Sequence, residues 1–266
     1  MNTMAQTDKM LSRKEGHVGY VIFNNPARRN AVSLEMWEAT ARILDDFGKD
    51  NDVRVVVLTG AGDKAFVSGA DISRFENERA NEEAITRYNQ TVERANTAIY
   101  DYPKPTIAMI RGFCIGGGVG LALCCDLRIC SDKSRFAVPA AKLGLGYAYH
   151  GLKKLVDVVG PSFAKEIFYT ARQFDAEEAR AMGLVNRVVK ADELEAYVKK
   201  YADTIGENAP MTIATTKFII GEVVKDESKR DLAKCAAMVK KCFESDDYTE
   251  GRRAFMEKRT PVFTGR

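Results

Sequence analysis

The chain has 266 residues, 45% of them hydrophobic, and is therefore long enough to bury a full core. Its 40 basic and 37 acidic residues leave a net charge of +3, and no long run of basic residues indicates nucleic-acid binding. No segment approaches the roughly 18 uncharged apolar residues of a membrane span, and the N-terminus has no apolar signal region. We therefore expect a cytoplasmic protein with neither a nucleic-acid nor a membrane partner.

The cysteines and histidines argue against a metal site. None of the six cysteines forms a C-x-x-C pair, and four stand in apolar segments: Cys114, Cys124, Cys125 and Cys130. Small buried thiols of this kind are typical of a reducing compartment. With only His17 and His150 in the chain, a zinc site of cysteine and histidine ligands is not expected.

Apolar segments rich in β-branched residues alternate with helical patterns through the first 140 or so residues. Five are predicted as strands, at 17–24, 53–60, 105–112, 126–132 and 134–140. Ser33 is placed to cap a helix whose apolar face carries Leu34, Trp37, Ala41 and Leu44. Strands that are apolar on both faces predict an α/β architecture.

Helical patterns dominate after about residue 150, and a polar helix is also expected over 78–96. Two of the later helices are predicted to begin with capping boxes, Asp175 with Glu178 and Asp192 with Glu195. There is no internal repeat and no low-complexity linker. The sequence thus predicts one α/β core followed by a helical C-terminal region.

The first glycine motif, "VVVLTGAGDKA" at 55–65, fits the dinucleotide-binding pattern through Gly60, Gly62 and Ala65. That pattern requires a helix to begin within the glycines. Here the chain continues as "AFVSGADIS", which is β-branched, aromatic and rich in glycine. The acidic residue expected about 20 positions further on is also missing, which disfavours a nicotinamide site.

The second glycine motif opens the segment "FCIGGGVGLALCCDLRIC" at 113–130. Backbone amides at a helix N-terminus attract negative charge because they lack partners within the helix. The lysine and hydroxyl residue of a phosphate loop are absent, whereas apolar surroundings suit a developing oxyanion. A second donor is expected from the turn "FVSGADI" at 66–72. The alternative is that both glycine clusters only permit close backbone crossing.

Six segments resemble, in order, the signature blocks of the enoyl-CoA hydratase/isomerase (crotonase) superfamily. They are "NPARRNAVS", "AFVSGADIS", "KPTIAMIRGFCIGGGVGLALCCDLRI", "SRFAVPAAKLGL", "TARQFDAEEARAMGLVNRVV" and "EGRRAFMEKRTPVF". The resemblance implies a spiral core of ββα units over 1–200 and a helical oligomerisation region over 201–266 that builds trimers or hexamers. It also implies a coenzyme A thioester as substrate, with no separate cofactor.

The resemblance assigns two backbone donors to the thioester oxygen as it becomes an enolate: Ala70 in "SGADI" and Gly117, the middle glycine of "GGG". Coenzyme A is expected on the backbone of the glycine turns and of the segment 29–32, with Lys258 and Arg259 reaching its phosphates from a neighbouring subunit. A solvated helix end is the alternative for that basic pair. The binding residues so implied are Arg29, Asn30, Ala31, Val32, Ala70, Asp71, Ile72, Gly116, Gly117, Lys258 and Arg259.

The sequence departs from the family pattern at the two glutamates that activate water in hydratases. Gly120 stands at one of these positions and Ala140 at the other. Because neither residue can transfer a proton, the paired acid and base are absent. This departure favours a decarboxylase-like or other lyase or isomerase reaction over hydration.

The segment "LGLGYAYHGL" at 143–152 carries the candidate replacements, Tyr147 and His150. An imidazole can act as acid or base near neutral pH, and a phenol can donate a hydrogen bond. Related acyl-CoA decarboxylases place a tyrosine near Tyr147 but keep a glutamate where Gly120 stands, so that match is partial. The alternative is that Tyr147, Tyr149 and His150 only pack against or cap the next helix.

Two further functional hypotheses remain open. The chain is a slow enoyl-CoA hydratase in which Tyr147 or His150 partly replaces a glutamate, or it is a binding protein that keeps the coenzyme A pocket without catalysis. Asp71 and Asp126 are interpreted as structural, since a carboxylate facing an enolate would oppose it electrostatically.

Overall fold

The computed structural model describes residues 7–74 and 80–266. In this part of the chain ten strands are found: β1 Met10–Glu15, β2 Val18–Phe23, β3 Val55–Gly60, β4 Ala65–Val67, β5 Thr106–Ile110, β6 Phe113–Ile115, β7 Leu127–Ser131, β8 Arg135–Ala137, β9 Phe174–Asp175 and β10 Arg187–Val189.

Nine α-helices lie in the same described ranges: α1 Leu34–Lys49, α2 Glu82–Tyr100, α3 Gly117–Cys124, α4 Tyr149–Thr170, α5 Ala176–Ala181, α6 Leu194–Glu207, α7 Pro210–Val223, α8 Leu232–Phe243 and α9 Asp246–Glu257. Short 3-10 turns stand at Pro26–Arg28, Ile72–Arg74, Pro139–Lys142 and Glu227–Lys229. Gly160, with φ of 73°, interrupts α4 before Pro161.

The strands form two sheets, and from β3 to β8 successive strands alternate between them. The larger sheet has the order β1-β2-β3-β5-β7-β10 and the smaller one β4-β6-β8-β9, parallel except for β1 with β2 and β8 with β9. Each repeat therefore gives one strand to either sheet before a helix closes it, as in β3-β4-α2 and β5-β6-α3. This is a spiral of ββα units, and the predicted α/β crotonase-like fold is confirmed.

The larger sheet is covered on both faces, which explains its uninterrupted apolar strands. On one face α6 packs through Leu194, Val198 and Ala202, all fully buried against a cluster that includes Val55 and Val57. The alternate side chains of the same strand, such as Val56 and Leu58, belong to the main core beneath α1 and α3. The period of two along β3 thus divides one strand between two cores.

The structure corrects several local predictions. The five predicted strands are found, each shorter than predicted. The strands β1, β4, β6, β9 and β10 were not predicted, because strands of two to six mixed residues give little periodic signal. The polar helix of 78–96 is observed from Glu82, residues 78 and 79 lying outside the described residues.

Of the two predicted capping boxes, one is formed and the other is not. The capping box of Asp175 and Glu178 is formed in both directions. The one predicted at Asp192 is wrong, since α6 begins at Leu194 after Glu193 and has no side-chain cap. The buried Leu194 anchors that helix end on the sheet instead.

The C-terminal helices α7 to α9 expose apolar side chains in the single chain. More than half of the residue surface is exposed at Ile220, Val223, Leu232, Phe243, Phe255 and Met256. Helix α6 spans residue 200, the predicted boundary between core and C-terminal region. Within the described ranges, no helix is both long and apolar enough to cross a membrane.

Candidate active site

The two glycine turns lie side by side because β4 and β6 are parallel neighbours. The ladder pairs Val67 with Cys114, and three further residues along each segment bring Ala70 opposite Gly117. A Cβ placed on Gly117 would be 3.8 Å from the Gly69 Cα and 4.0 Å from the Ala70 nitrogen. The structure therefore brings together the two residues predicted to supply backbone donors.

The Ala70 segment lies between β6 on one side and the segment that contains Val32 on the other, and the Ala70 N–H points away from Val32. Val32 donates to the Gly69 carbonyl at 2.9 Å and accepts from the Asp71 amide at 3.0 Å, forming an isolated parallel bridge. In such a bridge the central residue directs its own N–H to the opposite side. That side holds β6 and Gly117, and no described residue accepts a hydrogen bond from the Ala70 amide.

The Gly117 amide is the first N–H of α3 and has no partner within the helix. Gly116 holds φ at 55° before it, a left-handed conformation that favours glycine, and donates to the Ala137 carbonyl. The helix dipole adds partial positive charge at the Gly117 amide. Both amides are free to bind one oxygen atom that acquires negative charge.

Gly118 sets how closely α3 approaches β4. A Cβ at this position would lie 2.1 Å from the Val67 carbonyl oxygen, whereas a Cβ at Gly120 would meet nothing within 4 Å. Glycine is therefore required at position 118, because the backbones of α3 and β4 approach each other too closely for a side chain. At Gly120 the missing side chain leaves open space.

We expect Gly118→Ala to lower the free energy of unfolding by about 2 kcal/mol through overpacking. Gly120→Ala is the matched control, because it adds the same methyl group to the same helix without a contact. It should raise the unfolding free energy by about 0.5–1 kcal/mol through helix propensity. Urea denaturation measures both, and equal effects of the two substitutions would contradict the packing role of Gly118.

Gly120 and Ala140 stand at the two positions where the resemblance led us to expect glutamate. Gly120 lies one turn after Gly117 on α3, and Ala140 lies in the 3-10 turn after β8, buried with 4% exposure. The Ala140 carbonyl accepts from the Leu143 and Leu145 amides and so shapes the start of the next segment. Neither position supplies an acid or a base.

The segment 29–32 combines strained backbone with a buried polar anchor. Arg29 and Asn30 have φ values of 52° and 56°. Asn30 is fully buried. Its side-chain oxygen accepts from the Asn25 backbone amide, and its side-chain nitrogen donates to the Ala61 and Ala65 carbonyls. Ala31 and Val32 are also buried. Arg29 is exposed with its guanidinium 4.8 Å from the Phe113 ring. Asn30 thus holds the turn, and only the backbone and Arg29 face outward.

Asp71 is held by local donors, as expected of a structural residue. One of its oxygens accepts from the Ser73 amide and hydroxyl and from Arg28 at 3.2 Å. Arg28 also donates to Ser73 and keeps about half of its side chain exposed beside the Ala70 turn. Sequence reasoning missed Arg28, although "NPARRN" displays two adjacent arginines. Ile72 opens the 3-10 turn that follows.

Asp126 is also structural. Its Oδ2 accepts from the Thr106 amide, the Thr106 hydroxyl and Lys217 Nζ at 2.7–3.0 Å. It therefore ties the end of α3 to β5 and to the C-terminal helices, as the sequence indicated.

Tyr147 and His150 stand on a segment of ten exposed residues, 141–150. Tyr147 keeps 37% exposure, and its ring packs edge-on against Phe168 at 4.9 Å. Burial raises the pKa of its phenol, which therefore stays protonated at neutral pH. His150 is exposed in the first turn of α4 and contacts the Tyr149 ring. Neither side chain hydrogen-bonds to another described residue.

Of the two basic residues at the end of α9, Arg259 is already paired with carboxylates, whereas Lys258 has no ion pair with a described residue. Arg259 donates to both oxygens of Glu250 at 2.6 and 2.9 Å and to Glu257 at 2.6 Å. Arg259, the Val262 amide and Arg253 hold the pKa of Glu250 well below its usual range. Lys258 caps the helix with φ of 56° and is exposed. A phosphate at Arg259 would therefore compete with two carboxylates.

The first glycine motif is a strand turn and not a nucleotide loop. After β3 the chain enters β4 without a helix, and a Cβ on Gly60 would lie 2.3 Å from the Ala65 and Phe66 carbonyls. Close crossing explains this motif. Within the described part of the chain, no group of three histidine, cysteine or acidic residues is placed to hold a metal ion.

Comparisons with known proteins show the family of this chain. The family model for enoyl-CoA hydratase/isomerase matches residues 13–266. The short-chain-enoyl-CoA hydratase of Clostridium acetobutylicum is 33% identical over 254 residues, covering 96% of this chain and 97% of that protein. The crotonyl-CoA hydratase of Syntrophomonas wolfei is 34% identical over 260 residues, covering 96% and 98%.

A crystal structure of an enoyl-CoA hydratase/carnitine racemase from Magnetospirillum magneticum superposes with a TM-score of 0.92. It is 37% identical and covers 100% of this chain and 99% of its own. Fold and site therefore define a crotonase-type α/β spiral. The chain belongs to the enoyl-CoA hydratase/isomerase family.

Proposed function

We propose that the protein binds an acyl-CoA thioester and stabilises its enolate with the amides of Ala70 and Gly117. The observation that carries this proposal is the juxtaposition of two unpartnered N–H groups, one from each glycine turn. Two donors aimed at one oxygen stabilise the negative charge that this oxygen gains during the reaction. Each donor contributes on the order of a hundredfold to a thousandfold in rate. Coenzyme A is then part of the substrate, and no separate cofactor is required.

The reaction that we favour is carbon–carbon chemistry, with decarboxylation as the leading case, rather than hydration. In decarboxylation the bond to the leaving carboxylate breaks, and its electron pair enters the enolate held by the two amides. This first step needs no general base, so the absence of glutamate at Gly120 and Ala140 is tolerated. The protonated Tyr147 phenol is suited to orient the carboxylate by a hydrogen bond.

Slow hydration of an enoyl-CoA is the second candidate, and the names of the two curated relatives favour it. In that case Tyr147 or His150 takes over part of the role of a glutamate. The third candidate, a binding protein without turnover, would keep the two amides and the coenzyme A contacts alone.

The deciding experiment is a substrate panel of crotonyl-CoA, methylmalonyl-CoA and aromatic acyl-CoA thioesters. We expect methylmalonyl-type decarboxylation to exceed crotonyl-CoA hydration in the wild type. Tyr147→Phe and His150→Ala identify which side chain contributes, with Tyr149→Phe as the control on the same segment. Crotonyl-CoA hydration at an ordinary enzymatic rate, about 10 per second, would overturn the favoured reaction. Absence of turnover on every thioester would leave the binding protein.

The assembly that we propose is a homotrimer or a hexamer in the cytoplasm. The exposed apolar side chains of α7 to α9 support it, because surfaces of this kind mark protein contacts. Sedimentation equilibrium measures the number of subunits. In such an assembly, Lys258 would lie beside a neighbouring site.

A further inference from the structure

Lys154 forms an unusual cluster at the far end of α3. Its Nζ donates to the Cys124 thiol at 3.4 Å and lies 4.8 Å from the centre of the Tyr100 ring. Lys154 comes from α4 and Tyr100 from the last turn of α2, so three helices meet around this ammonium group. Lys154 itself is half-buried, and Cys124 is buried with 3% exposure.

The ammonium group lacks a carboxylate partner. Burial raises the pKa of the Cys124 thiol, which stays neutral and offers Lys154 no countercharge. The adjacent Lys153 is different, since it is exposed and bonds Asp157 at 2.6 Å. Among the described residues, Lys154 forms no ion pair, whereas the half-buried Lys217 is neutralised by Asp126. A half-buried cation without a partner favours an anionic ligand.

Lys154 lies along the same stripe of α3 as the proposed oxyanion site. Gly117, Gly120 and Cys124 are spaced by three and four residues and so share one face of the helix. The Cys124 thiol donates to the Gly120 carbonyl at 3.3 Å, so the Lys154 cluster lies one helical turn from Gly120. Seven residues of helix separate Gly117 from Cys124 by about 10 Å along the axis. Because the Lys154 ammonium group already lies at Cys124, a medium acyl chain with a hydrogen bond of about 2.9 Å at either end would span this length.

We propose that Lys154 is a specificity-determining residue that binds a carboxylate at the far end of the acyl chain. The substrate class is then the monothioester of a dicarboxylic acid, with its thioester oxygen on the Ala70 and Gly117 amides. A Cβ at Gly120, which lies between Gly117 and Cys124 on α3, would meet nothing within 4 Å. The inference rests on the proposed binding of an acyl-CoA thioester and deepens it. The carboxylate at Lys154 is distinct from any carboxylate that is lost from the carbon next to the thioester. The Tyr100 ring and the Cys124 thiol hold the ammonium group in position.

Binding of saturated thioesters tests this inference without turnover. Titration calorimetry compares adipyl-CoA, which ends in a carboxylate, with hexanoyl-CoA of the same chain length. The wild type should bind adipyl-CoA at least about tenfold more tightly, the effect of one charge-assisted hydrogen bond. Lys154→Met should remove that preference and leave the hexanoyl-CoA affinity unchanged, whereas Lys154→Arg should restore most of it.

Lys153→Met is the matched control, because it removes an adjacent lysine that already has a carboxylate partner. It should keep the preference for adipyl-CoA. Equal wild-type affinities for the two thioesters, or a preference that survives Lys154→Met, would overturn the inference while leaving the acyl-CoA function intact. Failure to bind either thioester would instead overturn the proposed function, and the inference with it. The wild-type comparison stands even if a variant is unstable.

Discussion

Placing glutamate at both Gly120 and Ala140 is expected to raise the rate of crotonyl-CoA hydration at least a hundredfold above that of the wild type. The reason is that general acid–base catalysis contributes on the order of 10²–10⁴ in rate. A Cβ at Gly120 meets nothing within 4 Å, so a longer side chain can enter the site there. The Ala140 position is buried, which should raise the pKa of the new carboxyl group and suit it to hold a proton. Loss of crotonyl-CoA absorbance measures the rate.

The double glutamine variant is the control, because it has the same size and cannot transfer a proton. It should hydrate crotonyl-CoA no faster than the wild type. Each single glutamate should give less than the pair, since addition of water needs both an acid and a base. If a folded double glutamate variant gained nothing over its glutamine counterpart, these two positions would not face the reacting carbons.

Gly117→Pro is expected to lower turnover about a hundredfold or more by removing one donor to the enolate oxygen. Proline is well tolerated at the first position of a helix, where the lost N–H has no partner within the helix. The thioester carbonyl stretch of bound hexanoyl-CoA provides a second readout. It should move to higher frequency when the donor is lost, because the carbonyl is less polarised.

Gly117→Ala separates the donor from the side chain. Both variants add a Cβ that approaches Gly69 to 3.8 Å, an ordinary van der Waals contact, but only proline replaces the amide hydrogen with a ring carbon. If only the proline variant loses turnover and shifts the carbonyl frequency, the result supports the Gly117 N–H as a donor to the enolate oxygen. An alanine variant as impaired as the proline variant would mean that space, and not the donor, is required at this position.

Much of this organisation follows from local pattern. The strands β2, β3 and β5 are rich in β-branched residues, and the helices have clear periods, so short-range preference and tertiary structure agree on them. The capping box at Asp175 is formed because both of its partners are four residues apart or closer. The same signal at Asp192 was wrong, because burial of Leu194 against the sheet determines where α6 begins.

The residue patterns already predict an α/β architecture and two glycine turns, since these depend on residue type and near neighbours. The resemblance of six segments to a known family implies the spiral of ββα units and the acidic positions that Gly120 and Ala140 occupy. What required three dimensions is the alignment of Ala70 with Gly117, which follows from a parallel ladder between strands 47 positions apart. The contact of Lys154 with Cys124 and Tyr100 depends likewise on the packing of three helices. Such contacts join segments distant in sequence, and no local propensity encodes them.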